Sequence, residues 1–398
     1  MTSYKNILLL LIIELIFVSL YKINSQNIFS KDDAENGINF SETIDRIKRK
    51  IIKGSTLKWP LPIYYAVGYY VNHLAVEKAL QAISKETCIT FKKTLSLPKN
   101  TSGIIYYNSD HCNSLVGRQN AHSWQVIHIG EACNHPGGII HETLHALGFL
   151  HEQCRYDRDL YLQIRDYNMM EHGIKNCFKV SFINSDTYFL NYDLGSIMHY
   201  DSYAYTKNGE KTIATADPHY DKTIGQTERL SFIDIKALNF HYCSDVCEHK
   251  IFCYHEGFQN SKICTKCRCP EGFAGPYCED IAKPRRGCGN SILFVAHRTK
   301  RIDFRGRKNC FLHIRTFPGR KIFIKLVSIN MYPNDYRICS FRNSLEINYQ
   351  IDKSISGAKF CHKDGNKLIA SYNNHVIIYY RSVNTRNYVK LSLRSIVY

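Results

Sequence analysis

His141-Glu142-Thr143-Leu144-His145 sets two imidazoles four residues apart with a carboxylate beside the first. On a helix that spacing puts both rings on one face, within reach of a single metal ion. A catalytic zinc takes three protein ligands and keeps an open position for water, so a third ligand must come from beyond the helix. Gly148 can adopt the left-handed conformation that ends a helix and reverses the chain, and His151 then returns to the metal. Zinc would lower the pKa of water and polarise a carbonyl. Glu142, beside the metal without ligating it, would take the water's proton and pass it to a leaving amine. The plain alternative is a set of histidines satisfied within a core, and the fixed spacing of Gly148 and His151 argues against it.

Those residues need a scaffold, and the surrounding chain reads as one. Trp59 to Tyr65 looks like an entering strand, and His73 to Ser84 carries apolar residues at helical spacing. Ile89 to Phe91, Ile104 to Tyr107 and Trp124 to Ile129 read as strands, and a helix is predicted from about Gly137 to Leu147. This mixture indicates an α+β domain running to about Cys243. Six cysteines follow within about thirty residues, Cys247, Cys253, Cys264, Cys267, Cys269 and Cys278, too many to surround an apolar core. Beyond a Lys-Pro-Arg-Arg linker, short alternating runs (Ile322 to Leu326, Leu345 to Tyr349, His375 to Tyr380 and Tyr388 to Leu393) predict an all-β sandwich.

Of the 398 residues, 16 are cysteine, an even number that points to disulfides and an oxidising, extracellular compartment. Residues 1–25 hold Lys5, an apolar run interrupted by Glu14 and a small residue at Ser25, the form of a signal peptide. No later stretch approaches about 20 apolar residues, so no membrane span is expected. Arg46-Ile47-Lys48-Arg49 has the form cut by processing convertases, which makes residues 26–49 a propeptide ending at Arg49. Asn39 and Asn100 lie in glycosylation sequons, and only Asn100 would survive that cut. The net charge of +17 is uneven: residues 283–398 hold 23 Lys and Arg against 5 acids. A secreted chain rarely meets nucleic acid, so the basic tail suits sulfated glycan, anionic matrix or lipid headgroups; a merely solubilising surface is the alternative.

The run from His141 to Asp159 (HETLHALGFLHEQCRYDRD) matches the signature of the astacins, a family of metzincin zinc endopeptidases, and the resemblance covers residues 50–243. It implies a two-lobed catalytic domain acting on protein or peptide substrates. Ser196 to Tyr200 looks like the family's Met-turn, with Met198 as the floor under the metal and Tyr200 as a switchable ligand that helps stabilise the oxyanion. The resemblance also implies an extended substrate along Gln125, Val126, Ile127, His128 and Ile129. It places the new N-terminus, Lys50, near Glu152. Phe29-Ser30-Lys31-Asp32 has the spacing of the propeptide zinc switch, with Asp32 as the ligand and Lys31 where that motif has glycine. Family pairing implies Cys88–Cys243 and Cys112–Cys133, which leaves Cys154 and Cys177 to form a third bond in this domain.

Residues 244–280 resemble an EGF-like module, which implies Cys247–Cys264, Cys253–Cys267 and Cys269–Cys278. Residues 288–398 resemble a CUB domain, a β-sandwich in which Cys288–Cys310 and Cys339–Cys361 would pair. Two positions depart from these patterns. Asp201 stands where glycine usually follows the Met-turn tyrosine, and Phe341-Arg342-Asn343-Ser344-Leu345-Glu346-Ile347 lacks a carboxylate that would help bind calcium. The whole resembles secreted nematode astacins. An adhesion protein that works through the basic tail alone is the competing reading.

Overall fold

The computed structural model describes residues 58–333 and 337–397. The signal segment, Asp32 and the cut after Arg49 lie outside the described residues. The upper lobe contains β1 (Ile63–Val67), α1 (His73–Glu86), β2 (Phe91–Lys93), β3 (Gly103–Asn108), β4 (Asn113–Ser114) and β5 (Trp124–Ile129). Its sheet runs β2-β1-β3-β5-β4, with β4 an antiparallel edge on otherwise parallel strands. Asn72 caps α1 by accepting from the Ala75 amide, at 3.1 Å. The helix buries Ala75, Val76, Ala79, Leu80 and Ile83, the helical period read from the sequence. Those side chains share a core with Ile63, Ile104 and Ile127 of the sheet. Each buried Val, Leu or Ile is worth about 1.5–3 kcal/mol, enough to hold a helix that would be marginal alone.

Against that core packs α2 (Pro136–Ala146), which carries Glu142. Pro136 occupies its first turn, where the missing N–H is no loss. Gly137 is required there: a Cβ at that position would fall 1.5 Å from the Thr227 carbonyl oxygen. The lower lobe is mostly irregular, with β6 (Leu162–Ile164), α3 (Glu171–Asn176), β7 (Ile213–Thr215) and α4 (Phe232–Tyr242).

The small cysteine-rich module follows with β8 (Phe258–Gln259), β9 (Cys267–Arg268), β10 (Phe273–Ala274) and β11 (Asp280–Ile281). The C-terminal sandwich is built from β12 (Ile292–Phe294), β13 (Lys300–Arg305), β14 (Asn309–Arg315), β15 (Arg320–Asn330), β16 (Ser344–Asn348), β17 (Ala358–Phe360), β18 (Asp364–Ala370), β19 (His375–Arg381) and β20 (Tyr388–Val397). One sheet runs β12-β14-β19-β16-β17 and the other β13-β20-β15-β18.

The lower lobe and the sandwich share one apolar cluster, in which Met169, Tyr192, Ile213 and Tyr220 continue into Tyr349, Ile347 and Ile324. Polar contacts stitch the same joint. The Ser356 amide donates to Asp193 at 3.0 Å, and the Lys359 amide to the Thr223 hydroxyl at 2.9 Å. Buried Arg381 binds Glu346 and Glu271 at 2.7 Å each, tying the sandwich to the small module. Glu346 is therefore committed to an ion pair and to the Gly357 amide.

Disulfides join Cys88–Cys243, Cys112–Cys133, Cys247–Cys264, Cys253–Cys267, Cys269–Cys278, Cys288–Cys310 and Cys339–Cys361. The expected bond between Cys154 and Cys177 is absent, and both are buried thiols. They pack into different apolar clusters, Cys154 with Leu150 and Val180, Cys177 with the larger lower-lobe core. Other contacts do the tethering: Val180 donates its amide to the Cys154 carbonyl at 2.8 Å, and Arg158 donates to the Gln153 and Cys177 carbonyls. Burial pushes the Cys177 thiol up to about 11.

Burial alone would raise the Glu271 carboxyl, and Arg381 beside it more than offsets this, holding it below its ordinary value. A depressed carboxyl stabilises the fold above its ordinary pKa and loses that contribution as the pH falls through the folded value. Arg381→Ala strips the buried Glu346 of its cation and leaves Glu271 with Arg285 alone, and should destabilise by about 3–5 kcal/mol. Thermal unfolding of the full chain at neutral pH should register the loss, and the deficit relative to the parent should shrink in acid.

Candidate metal centre

α2 ends as its sequence requires. The Gly148 amide bonds the His145 carbonyl and the Phe149 amide the Leu144 carbonyl, both at 2.9 Å, with Gly148 at φ +101. The reversal delivers His151 to the two helical histidines. Its Nε2 lies 3.2 Å from that of His141 and 3.1 Å from that of His145. A tetrahedral zinc with Zn–N bonds of 2.0–2.1 Å separates its nitrogens by about 3.4 Å, so the three rings suit one zinc ion. The far nitrogens are anchored as well: His141 Nδ1 donates to the Ile197 carbonyl and His145 Nδ1 to the Phe149 carbonyl, at 2.8 Å each. Those bonds fix the tautomer that leaves Nε2 lone pairs for a metal. Among the described residues this is the one group of three or more His, Cys, Asp or Glu side chains suited to a metal ion. Glu142 is buried beside it on the same helix.

The turn beneath the histidines is held from below. Asp234, in the first turn of α4, accepts from the Ser196 hydroxyl at 2.6 Å and from the Ile197 and Ser231 amides at 2.9 Å. Met198 is buried there, and its carbonyl accepts the Glu152 amide at 2.9 Å. The Tyr200 ring stands 4.2 Å from that of His151, centroid to centroid, and its hydroxyl meets that of Tyr205 at 3.4 Å. Burial pushes the Tyr200 phenol well above its ordinary pKa. Gln153 positions Tyr200 by accepting its amide at 3.1 Å. The aspartate that replaces glycine after Tyr200 is absorbed locally: Asp201 accepts the Tyr203 amide, and Gly225 facing it leaves room for the Cβ.

Glu152 is fully buried, accepting from Arg155 at 3.2 Å and from the Asp193 amide at 3.1 Å. Asp234, Gln153, Arg155 and Asp193 were not among the residues singled out from sequence. Asp234 had a local signal, because Ser231 and Asp234 form a capping box at the start of α4. The others act through contacts with no short-range pattern.

The structure corrects the expected substrate strand. Gln125 to Ile129 lie within β5, which pairs with β3 along its length and with β4 at Ile127 and His128. The Gln125 side chain is buried, holding the Gly117 carbonyl at 3.0 Å and the Gln119 amide at 2.9 Å. An added chain needs unpaired backbone groups, so the available edge on this side of the sheet is β4, its outermost strand. Asn100 is exposed in a turn, where its sequon is accessible.

Asp234→Ala would leave the Ile197 and Ser231 amides without their acceptor and let the turn under His141 drift. Such supporting partners typically alter metal affinity 10- to 100-fold. Competition with a zinc chelator should show a loss of about that size.

Residues 52–243 match the family model of Astacin, a peptidase family. Zinc metalloproteinase nas-34 of Caenorhabditis elegans is 33% identical over 343 residues, 85% of this chain and 56% of that protein. Zinc metalloproteinase dpy-31 of the same organism is 34% identical over 337 residues, covering 79% and 55%. The chain thus spans a little over half the length of these two relatives. Among solved structures, high choriolytic enzyme 1, a hatching enzyme zinc-protease from Oryzias latipes, has 29% identity and a TM-score of 0.43 over 48% of this chain and 96% of that one. With its histidines converging as a zinc site and residues 52–243 matching the family throughout, the chain belongs to the astacin family of metzincin peptidases.

Proposed function

We propose that this chain is a secreted zinc metalloendopeptidase that cuts extracellular proteins such as matrix, cuticle, egg-shell or host proteins. The observation that carries the reading is the convergence of three imidazoles, two of them anchored through Nδ1, with Glu142 beside them. Zinc held there supplies Lewis acidity, lowering the pKa of water and polarising the scissile carbonyl. The Glu142 carboxylate takes the proton of the attacking water and returns it to the leaving nitrogen, breaking the C–N bond. The Tyr200 hydroxyl donates to the oxyanion as it forms, and the Tyr205 contact supports its orientation. The substrate backbone adds to the β4 edge as an extended strand. A chain that only adheres needs none of these arrangements.

Secretion and activation complete the reading. Seven disulfides belong to an oxidising compartment. A convertase cuts after Arg49, and the Lys50 amine joins the buried Glu152. The basic tail keeps the enzyme on anionic material such as sulfated glycan.

Glu142→Ala in the processed protein should lower kcat for peptide hydrolysis by about 10²–10⁴-fold while still binding one zinc per chain. Unchanged hydrolysis would sink the mechanism. Arg49→Ala should leave the propeptide attached, read by mass spectrometry of the secreted protein, and leave peptide hydrolysis low until an engineered protease site at the same position is cut.

A further inference from the structure

The positive charge of the tail gathers on one face of the sheet β13-β20-β15-β18. On β20, Val389, Leu391 and Leu393 are buried, so Lys390, Ser392 and Arg394 face outward. The same alternation turns Arg301, Asp303 and Arg305 outward on β13, and Lys321, Phe323 and Lys325 on β15. Strand register then fixes their neighbours. Ser392 lies opposite Arg301 on one side and Lys325 on the other, while Lys390 and Arg394 are the next outward residues along its own strand. Neighbouring strands lie about 4.8 Å apart, and alternate residues about 6.7 Å. Four cationic side chains therefore stand around one small hydroxyl residue, in a frame roughly 10 Å by 13 Å. Among the described residues none of the four makes an ion pair, and Arg394 rests over the Phe323 ring at 5.1 Å.

A surface built for solubility intersperses both signs. These outward positions hold Arg301, Arg305, Lys321, Lys325, Lys390 and Arg394 against Asp303 alone. We propose that the face centred on Ser392 binds a sulfated polysaccharide, whose sulfates meet Arg301, Lys325, Lys390 and Arg394. The inference deepens the polyanion reading of the tail and rests on it. Anionic phospholipid is the lesser match, because it lines the cytoplasmic side of membranes whereas the disulfides mark an extracellular chain. Hydrogen bonds to the catalytic lobe, among them those of Cys339, Phe341, Tyr349, Ser356 and Lys359, come from in and around β16 and β17 of the other sheet.

The test uses the activated full chain and a heparin decasaccharide, with affinity measured across a salt series. One variant carries R301Q, K325Q, K390Q and R394Q. A control of equal net charge carries K283Q, R286Q, K308Q and K363Q, all exposed elsewhere on the tail. The first variant should lose about tenfold or more in affinity and show a shallower salt dependence, as expected when several ionic contacts go. The control should stay within about twofold of the parent, and both should hydrolyse peptide at the parent rate, which reports intact folding. Equal losses in the two variants would overturn this face while leaving the polyanion reading intact. No binding by the parent would overturn both. Tighter binding of the parent to phosphatidylserine vesicles than to the decasaccharide, lost in the first variant, would overturn the choice of polysaccharide.

Discussion

The metal centre depends on a buried carboxylate that never touches the metal. Asp234 grips the Ile197 amide, and the carbonyl of that same residue holds His141 Nδ1. One residue of backbone therefore separates the anchor in α4 from a histidine of the candidate metal centre in α2. Burial pushes the Asp234 carboxyl up to about 6, the direction that desolvating a charge dictates. The three bonds it accepts keep the anion worthwhile in a buried setting, since each donor would otherwise be buried unsatisfied. A lobe with little regular structure can hold a turn in one place by such means.

The histidines were legible because their chemistry is local. An i, i+4 pair, a glycine three residues on and a returning histidine are all encoded within eleven residues, and the chain follows each instruction in turn. The long apolar runs were equally clear, and β15, β19 and β20 cover the alternating segments read from them. What escaped was information carried between distant positions. Gln125 to Ile129 alternate like any half-buried strand, and nothing within the run says that two residues, Asn113 and Ser114, will cover one side. The edge of a sheet belongs to the topology, not to the strand.

Cysteine parity failed for a related reason. Counting leaves Cys154 and Cys177 as partners by default, yet a disulfide needs the two Cβ atoms aimed at each other. Here the two residues pack into different apolar clusters, and the Cys154 thiol donates to the Asn176 carbonyl at 3.3 Å. Arg158, with one guanidinium nitrogen shared between two carbonyls, ties the segment without sulfur chemistry. Asp193 was invisible for the same reason, its partners being Glu152 behind it and Ser356 far ahead.

The shared apolar cluster between the lower lobe and the sandwich has a consequence for how such a chain is inherited. Modules joined by flexible linkers can be traded between genes, because neither surface remembers its neighbour. Here Tyr220 and Tyr349 are interior to both halves at once. A recombination that swapped the sandwich would strand a greasy face on the peptidase, so these two parts are bound to change together.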